Sequence, residues 1–387
     1  MMHVLWLASW YPGRRDAFTG DFIERQATAV SRYAKITLLV ILKDDQLAAG
    51  KVEIEKTISG NLTVYRVYYG KSKWPVFIES ILSVKKYFSL QNKLFRQIET
   101  EAGRPSLVHV QVAMKAGLLA LWLKKKYQLP YIVTEHWTGY YPQSEPAVYQ
   151  YSFIYRWFNK QVLKNAALFL PVTNDLGETV SKNFVEVHYK SLPNVVNTDL
   201  FFYNATPPAV FRFIHPSVMN YQKNPEGMVA ACLQLKNRGY QFELFMAGND
   251  SPLLEKIVAE TGLLDSVIFL KPAISYAEIA AEMRQSSALL LFSRFENLPC
   301  VILEALCCGL PVVSSRVGGI AEVIDIANGI LIAPENVNEL VNAMQQVIDQ
   351  YTMYNREVIA EKAGRQFSFD VVGSQYFSVY KNVLQHG

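Results

Sequence analysis

Two carboxylates eight residues apart, Glu296 and Glu304, stand in the run SRFENLPCVILEALCCGL (293–310). The run follows the apolar, strand-like ALLLF, and Asn297-Leu298-Pro299 is expected to start a helix, because proline suits a first helical turn. The amides of such a turn have no partner within the helix and make a site for an anion or a hydroxyl. Glu296, just before the helix, can reach forward to a bound polyol. Glu304 lies about two turns further in, ~12 Å away at ~1.5 Å per residue. Carboxylates at that separation can grip two hydroxyl-bearing parts of one elongated ligand. Taken alone, the pair also reads as one surface residue and one solvated helix position. Downstream, PVVSSRVGG (311–319) reads as a second strand, and the pair Gly318-Gly319 lets backbone approach a ligand closely.

The elements that position these residues alternate along the chain. Short apolar, β-branched segments read as strands at 3–8, 36–42, 63–68, 107–110, 131–134 and 168–172, with helical patterns at 22–33, 78–100 and 115–127. The alternation resumes with strands at 211–215, 242–247, 267–270, 288–292, 311–314 and 329–332, and helices at 225–237, 253–261, 276–284, 298–308 and 337–350. Such a pattern predicts an α/β chain of two doubly wound, Rossmann-like parallel-sheet domains. The stretch LPNVVNTDLFFYNATPP (192–208) joins them. Ligands of these sheets bind beyond the carboxyl ends of the strands, so a cleft between two such domains is the expected site.

Composition and motifs exclude several classes. The chain has 387 residues, half of them hydrophobic and 19% charged, enough for a sizeable core and too apolar for disorder. It contains no G-x-G-x-x-G, no P-loop and no G-x-S-x-G elbow, which removes the common dinucleotide, NTPase and hydrolase readings. The four cysteines form no metal or disulfide pattern, which suits a reducing compartment. The apolar opening MMHVLWLASWYP reads as a buried strand rather than a signal peptide, and no apolar run approaches the ~20 residues of a spanning helix. Net charge is +4, but residues 1–200 carry 25 basic and 16 acidic side chains, and residues 201–387 carry 13 and 18. A basic first half suits an anionic surface or acceptor. Nucleic acid is not expected, since no recognised binding module appears.

The run Glu296-Asn297-Leu298-Pro299, Glu304-Ala305-Leu306, Gly309-Leu310-Pro311-Val312-Val313, Gly318-Gly319, Glu322 and Asn328-Gly329 resembles the C-terminal domain of family 4 glycosyltransferases of GT-B architecture. The resemblance extends over nearly the whole chain: SWYPGRRDAFTGDFIERQATAV (9–30), TEHWTGY (134–140), LPVTNDLGETV (170–180), LPNVVNTDLF (192–201) and QKNPEGMVAA (222–231) each resemble a segment of the family. It implies retaining transfer of a sugar from a nucleotide-diphosphate donor, without a cofactor or a bound metal. The chain also lacks a D-x-D carboxylate pair. Without a metal, cations and backbone amides must meet the charge of the leaving diphosphate.

By resemblance, Lys223 is the donor-phosphate lysine, and Val218 stands five residues earlier where the family usually has arginine. Arg294 or Arg316, both near post-strand turns, are possible replacements. Gly20 is expected to bring its amide to the diphosphate or the transferred sugar, and His136, just after a strand, to lie beside that sugar. Glu296 is expected at the sugar hydroxyls with Asn297 and Leu298 nearby, Glu304 at the ribose, and the 271–274 turn, ending at Ile274, at the base. His109 is either a core-edge residue or an acceptor contact. A double displacement needs a carboxylate nucleophile beneath the anomeric carbon. Asp21 and Glu296 are conceivable for it, but the family favours same-face attack. The expected domains are 1–195 on the acceptor side and 196–370 for the donor, with a final helix in 371–387 packing back on the first. The expected donor is a UDP- or GDP-sugar carrying a hexose or N-acetylhexosamine. The expected acceptor is a surface glycan or a polyprenyl-linked one.

Lys71–Arg96 mixes Trp74, Phe77, Ile81, Tyr87 and Phe88 with Lys71, Lys73, Lys85, Lys86 and Lys93, and Lys124–Lys126 follow Leu121-Trp122-Leu123. This suits peripheral contact with anionic lipid on the cytoplasmic face of the plasma membrane, or else helices with a solvated lysine face. A nucleotide-sugar epimerase, a disaccharide synthase and an inactive scaffold are the alternative readings.

Overall fold

Strand formation in the first half follows apolar content. His3–Ala8 (β1) is buried along its whole length, as a strand covered on both faces must be. The computed structural model describes residues 1–70, 76–206, 208–249 and 251–386, with the side chains of 76–82 and 386 outside that description. After β1 come Asp21–Ser31 (α1), Lys35–Asp44 (β2), Val52–Ser59 (β3), Leu62–Gly70 (β4), Val76–Ala102 (α2), Leu107–Gln111 (β5), Gly117–Tyr127 (α3), Tyr131–Glu135 (β6), Phe153–Lys164 (α4), Leu168–Pro171 (β7) and Asn174–Asn183 (α5). The second half continues through Arg212–Pro216 (β8), Pro225–Asn237 (α6), Glu243–Ala247 (β9), Pro252–Glu260 (α7), Ile268–Lys271 (β10), Tyr276–Arg284 (α8), Ala288–Leu291 (β11), Cys300–Cys307 (α9), Val312–Ser315 (β12), Gly329–Ile332 (β13), Val337–Asp349 (α10) and Arg356–Phe367 (α11). The last helix is Phe369–His386 (α12).

The chain divides into two units, Met1–Pro193 with Phe369–Gly387, and Asn194–Ser368. The first holds a sheet ordered β3-β4-β2-β1-β5-β6-β7. All its pairings are parallel except β3 with β4. Strand β3 (VEIEKTIS) is exposed at every residue, a charged edge that discourages further pairing. Helix α12 packs on α1, where a Cβ on Gly373 would come within 2.6 Å of the Ala29 carbonyl oxygen. Only glycine permits that approach.

The second unit has the parallel order β10-β9-β8-β11-β12-β13. In order of appearance the strands run 3-2-1-4-5-6, so the winding direction reverses between β8 and β11. A crevice opens beyond the carboxyl ends of the strands at such a reversal. The parallel strands of the first unit repeat the order, with their reversal between β1 and β5. Both sheets are therefore doubly wound, and the antiparallel edge strand β3 is the departure from the expected pattern.

Candidate functional site

At the reversal point of the second unit, the segments leaving β8 and β11 are tied together. Asn220 accepts from the Lys223 amide (3.2 Å) and closes a short turn over Tyr221–Lys223. Asn224, in the left-handed region, then caps α6 by accepting from the Gly227 amide (3.2 Å), with Pro225 in the first turn. The Arg294 amide donates to the Gln222 carbonyl (2.8 Å) and Gln222 Nε2 donates to the Phe295 carbonyl (3.0 Å). This stitching brings Lys223 Nζ to 2.5 Å from Glu296 Oε1. Both side chains are largely buried. The result is a cation and a carboxylate at one point beyond two strand ends.

Arg294 has other partners. Its guanidinium lies over the Tyr221 ring (4.1 Å), pairs with Glu335 (2.9 Å) and Glu226 (3.1 Å), and donates to the Tyr221 carbonyl. Those carboxylates hold it charged. Arg294, expected as a possible replacement for the missing arginine cation, is thus paired with two acids, as Lys223 is paired with one. Arg316 is exposed just past β12. Val218 is exposed as well.

The helix expected from Asn297 begins instead at Cys300, with Pro299 extended at its cap (φ −62°, ψ 127°). Asn297 and Leu298 lie in the approach to it, and their carbonyls accept from the Gly319 amide (3.1 Å) and Asn194 Nδ2 (3.3 Å). The role expected of Gly318 also changes. Its φ is +51°, and a Cβ there would sit 2.1 Å from the Glu296 carbonyl oxygen. What Gly318 approaches closely is the backbone carrying Glu296. Glu304, in α9, is buried, and its Oε1 accepts from the Tyr276 hydroxyl (2.9 Å). Ile274 lies in the loop between β10 and α8.

Sequence reasoning gives no role to His215, Ser293 or Ser315, all of which are buried in this region. His215, near the end of β8, sits between the Leu290 carbonyl (2.8 Å) and Ser217 Oγ (2.6 Å), and burial lowers its pKa to about 4. The Ser293 and Ser315 hydroxyls, at the ends of β11 and β12, have no hydrogen-bond partner among the described residues. Their post-strand positions are the one signal the sequence offers for them.

In the first unit, His136 follows β6 directly and is nearly buried. Its ring packs on Phe22 of α1 with centroids 4.5 Å apart, and Nε2 donates to Gln111 Oε1 (3.1 Å). Sequence reasoning gives no role to its neighbour Glu135. One of its carboxylate oxygens accepts from the His136 and Trp137 amides (both 3.0 Å), and the other from the Ala113 amide (3.1 Å). Burial raises its pKa to about 6 against those bonds. Glu135 thus fixes the segment that carries His136.

Gly20 sits at the start of α1 with φ +76°, and a Cβ would meet the Trp10 and Tyr11 backbone at 2.7 Å. Local backbone packing therefore already demands glycine. Asp21 pairs with Arg25 (2.5 Å). His109 has no exposed surface; its nitrogens lie 2.8 Å from the Tyr380 hydroxyl and 2.7 Å from Thr134 Oγ1, and burial holds its pKa well below the usual imidazole value. The possible acceptor contact for His109 is therefore corrected to a core position beneath α12.

Two doubly wound, Rossmann-like parallel sheets define the GT-B architecture. The family model described as Glycosyl transferases group 1 matches residues 198–366, and the one described as Glycosyl transferase 4-like domain matches 62–194. The chain belongs to this glycosyltransferase family. A glycosyltransferase of Methanocaldococcus jannaschii is 27% identical over 81% of this chain and 86% of its own length. Sucrose-phosphate synthase from Thermosynechococcus elongatus superimposes with a TM-score of 0.78 at 18% identity over all of both chains. Anabaena HepE, solved in complex with UDP and glucose, gives a TM-score of 0.71 at 14% identity over 99% of this chain and 100% of its own.

Proposed function

We propose that this enzyme transfers a hexose or N-acetylhexosamine, with retention of anomeric configuration, from a nucleotide-diphosphate sugar to a glycan or polyprenyl-linked acceptor in cell-surface polysaccharide synthesis. The observation that carries the reading is the Lys223–Glu296 pair at the reversal point of the second sheet. A nucleotide-diphosphate sugar presents phosphate oxygens that need a cation and sugar hydroxyls that need an acceptor, and this pair offers both within one contact. UDP is the donor nucleotide we favour over GDP, because HepE was solved with UDP and with UDP-glucose.

In this reading Lys223 stabilises the charge developing on the leaving diphosphate, assisted by backbone amides near Asn297 and Leu298, and no metal or cofactor is required. Glu296 takes the sugar hydroxyls. Glu304 takes the ribose hydroxyls while keeping its bond to Tyr276. The loop at Ile274 lies along the base. On the acceptor-binding unit, His136 hydrogen-bonds the transferred sugar and Gly20 offers its amide. The acceptor hydroxyl attacks the anomeric carbon on the face the diphosphate leaves, and a donor phosphate oxygen takes the proton, so rate comes from positioning and electrostatics. No helix among the described residues is long and apolar enough to cross a membrane. We place the enzyme in the cytoplasm with peripheral contact to anionic lipid.

The test is to incubate the enzyme with UDP- and GDP-sugars, with and without lipid-linked and soluble glycan acceptors. Nucleotide diphosphate released only when acceptor is present supports transfer. Release without acceptor points to an epimerase or hydrolase, and calorimetric donor binding with no turnover on any acceptor points to an inactive scaffold. The inactive reading draws on Val218 and on the engagement of Arg294, which leave the donor site with fewer free cations.

A further inference from the structure

Helix α4 turns a row of large apolar side chains outward. Phe153, Ile154, Trp157 and Phe158 are 73%, 67%, 46% and 37% exposed. At ~100° per residue they share an arc of about 140°. The opposite side, with Asn159, Val162 and Leu163, is buried. One turn on, the exposed side becomes basic through Lys160 and Lys164. Helix α3 lies alongside: Gly117 lets it close onto Val162, and Lys124 Nζ donates to the Asn165 carbonyl (2.7 Å). Its last turn adds the exposed Lys125 and Lys126. Between Ala113 and Thr134, and between Ala147 and Asn174, there are seven lysines and arginines and not one aspartate or glutamate.

We infer that the α3–α4 face is the membrane-docking surface of the protein, with the Phe153–Phe158 end of α4 inserted among the headgroups of an anionic bilayer. Exposed Trp and Phe beside a cation-only stretch match an interfacial helix, whose apolar side chains enter the acyl boundary while lysines reach the phosphates. An ordinary solvated helix would not keep four large apolar groups outward, and the lysines that α3 and α4 expose would repel those of a second copy. The inference rests on the peripheral-contact reading for its occupant, but moves the contact away from the aromatic-basic segment 71–96. There, Lys71, Lys73, Trp74 and the side chains of Phe77 and Ile81 lie outside the described residues. Tyr87 is buried, and Lys86 is engaged by the Gly70 carbonyl (3.4 Å) and the Tyr69 ring (5.0 Å).

The test is flotation of the full chain with phosphatidylcholine vesicles, with and without phosphatidylglycerol. Three variants are compared: Trp157→Ala/Phe158→Ala, Lys160→Glu/Lys164→Glu and Lys85→Ala/Lys86→Ala. The wild type is expected to float only with anionic vesicles and to be released by salt. The Trp157/Phe158 variant should lose at least tenfold in partitioning, and the Lys160/Lys164 variant roughly fivefold or more per lysine. Both should keep wild-type UDP binding by calorimetry, which controls for folding. A wild type that never floats overturns the peripheral-contact reading and this surface with it. Wild-type flotation that α4 variants leave intact, while the Lys85/Lys86 variant abolishes it, overturns the α4 assignment alone. A wild-type dimer in ultracentrifugation that Trp157→Ala/Phe158→Ala converts to monomer, with no loss of flotation, assigns the face to self-association instead and also overturns it.

Discussion

Lys223 Nζ lies 2.5 Å from Glu296 Oε1, although the two residues are 73 positions apart in the chain. Each neutralises the other in a largely buried setting, so each is a ready-made counterpart for a ligand that carries both anionic oxygens and hydroxyls. Removing one partner leaves the other charge buried and uncompensated, which costs far more than a surface pair would.

Lys223→Ala is therefore expected to do two separable things. Transfer should fall by orders of magnitude, and unfolding free energy should drop by about 3 kcal/mol because the Glu296 carboxylate loses its cation. The double variant Lys223→Ala/Glu296→Gln should regain most of the stability and none of the activity. Urea unfolding beside a donor-turnover assay checks both. Near-normal transfer by Lys223→Ala would sink the assignment of the donor site.

Gly318→Ala tests the loop that holds Glu296 in place. The new Cβ would need a φ of +51° and would meet the Glu296 carbonyl oxygen at 2.1 Å. Left-handed backbone alone costs an alanine about 1 kcal/mol, and the clash adds to it. The expected result is a stability loss of at least about 2 kcal/mol together with weaker UDP-sugar binding by calorimetry. Unchanged donor affinity would mean that the Gly318–Glu296 contact does not govern the position of the site.

Acid titration of stability follows from His215. Its folded pKa is depressed to about 4 from the ordinary 6.5 by burial, with the nearby Lys223 charge adding to the effect. Between those values the unfolded chain binds more protons than the folded one, so this contribution is complete above pH 6.5 and is lost as pH falls towards 4. The span corresponds to roughly 3 kcal/mol. His109 acts in the same direction. Stability measured by urea unfolding from pH 7 to 4 should fall, and His215→Asn should flatten part of that slope. A variant with the wild-type slope would show that His215 does not titrate in this window.

Much of the fold is legible because buried parallel strands are apolar along their whole length. β1 has the same limits in sequence and structure, and α6 and α8 likewise. Strand β3 escapes although Val52, Ile54 and Ile58 alternate along one face: Glu53, Glu55 and Lys56 interrupt the apolar run, and none of its residues is buried. Helix α4 escapes for the opposite reason: apolar residues stand on its buried and its exposed sides, and the helical period is blurred. Helix α11 buries little beyond Ile359, Ala363 and Phe367. At the candidate site, the family resemblance points to Lys223, Glu296 and Glu304, but their contacts are not legible in the sequence. That Lys223 meets Glu296, that two acids occupy Arg294, and that His109 lies in the core are consequences of tertiary packing. Glu135 and His215 are invisible for the same reason, since their roles depend on burial.

Glu135 makes this last point testable. Its carboxylate accepts from three backbone amides contributed by the segments after β5 and β6, and it has no exposed surface with which to touch a substrate. In Glu135→Gln, an NH2 replaces one oxygen and faces an amide N–H, leaving at least one buried donor unsatisfied at a cost of about 1–3 kcal/mol. The segment carrying His136 should loosen, so turnover should fall while donor affinity, which the proposed function assigns to the second unit, stays at the wild-type value. The pH dependence separates this from general damage. Because burial raises the folded Glu135 pKa to about 6, the folded state binds the extra proton between pH 6 and the usual carboxylate range, and this group adds stability as pH falls through that window. That is opposite in sign to His215. Removing the titratable group should therefore make the acid-side loss of stability steeper than in the wild type, and a shallower profile for Glu135→Gln would refute the role given to this carboxylate.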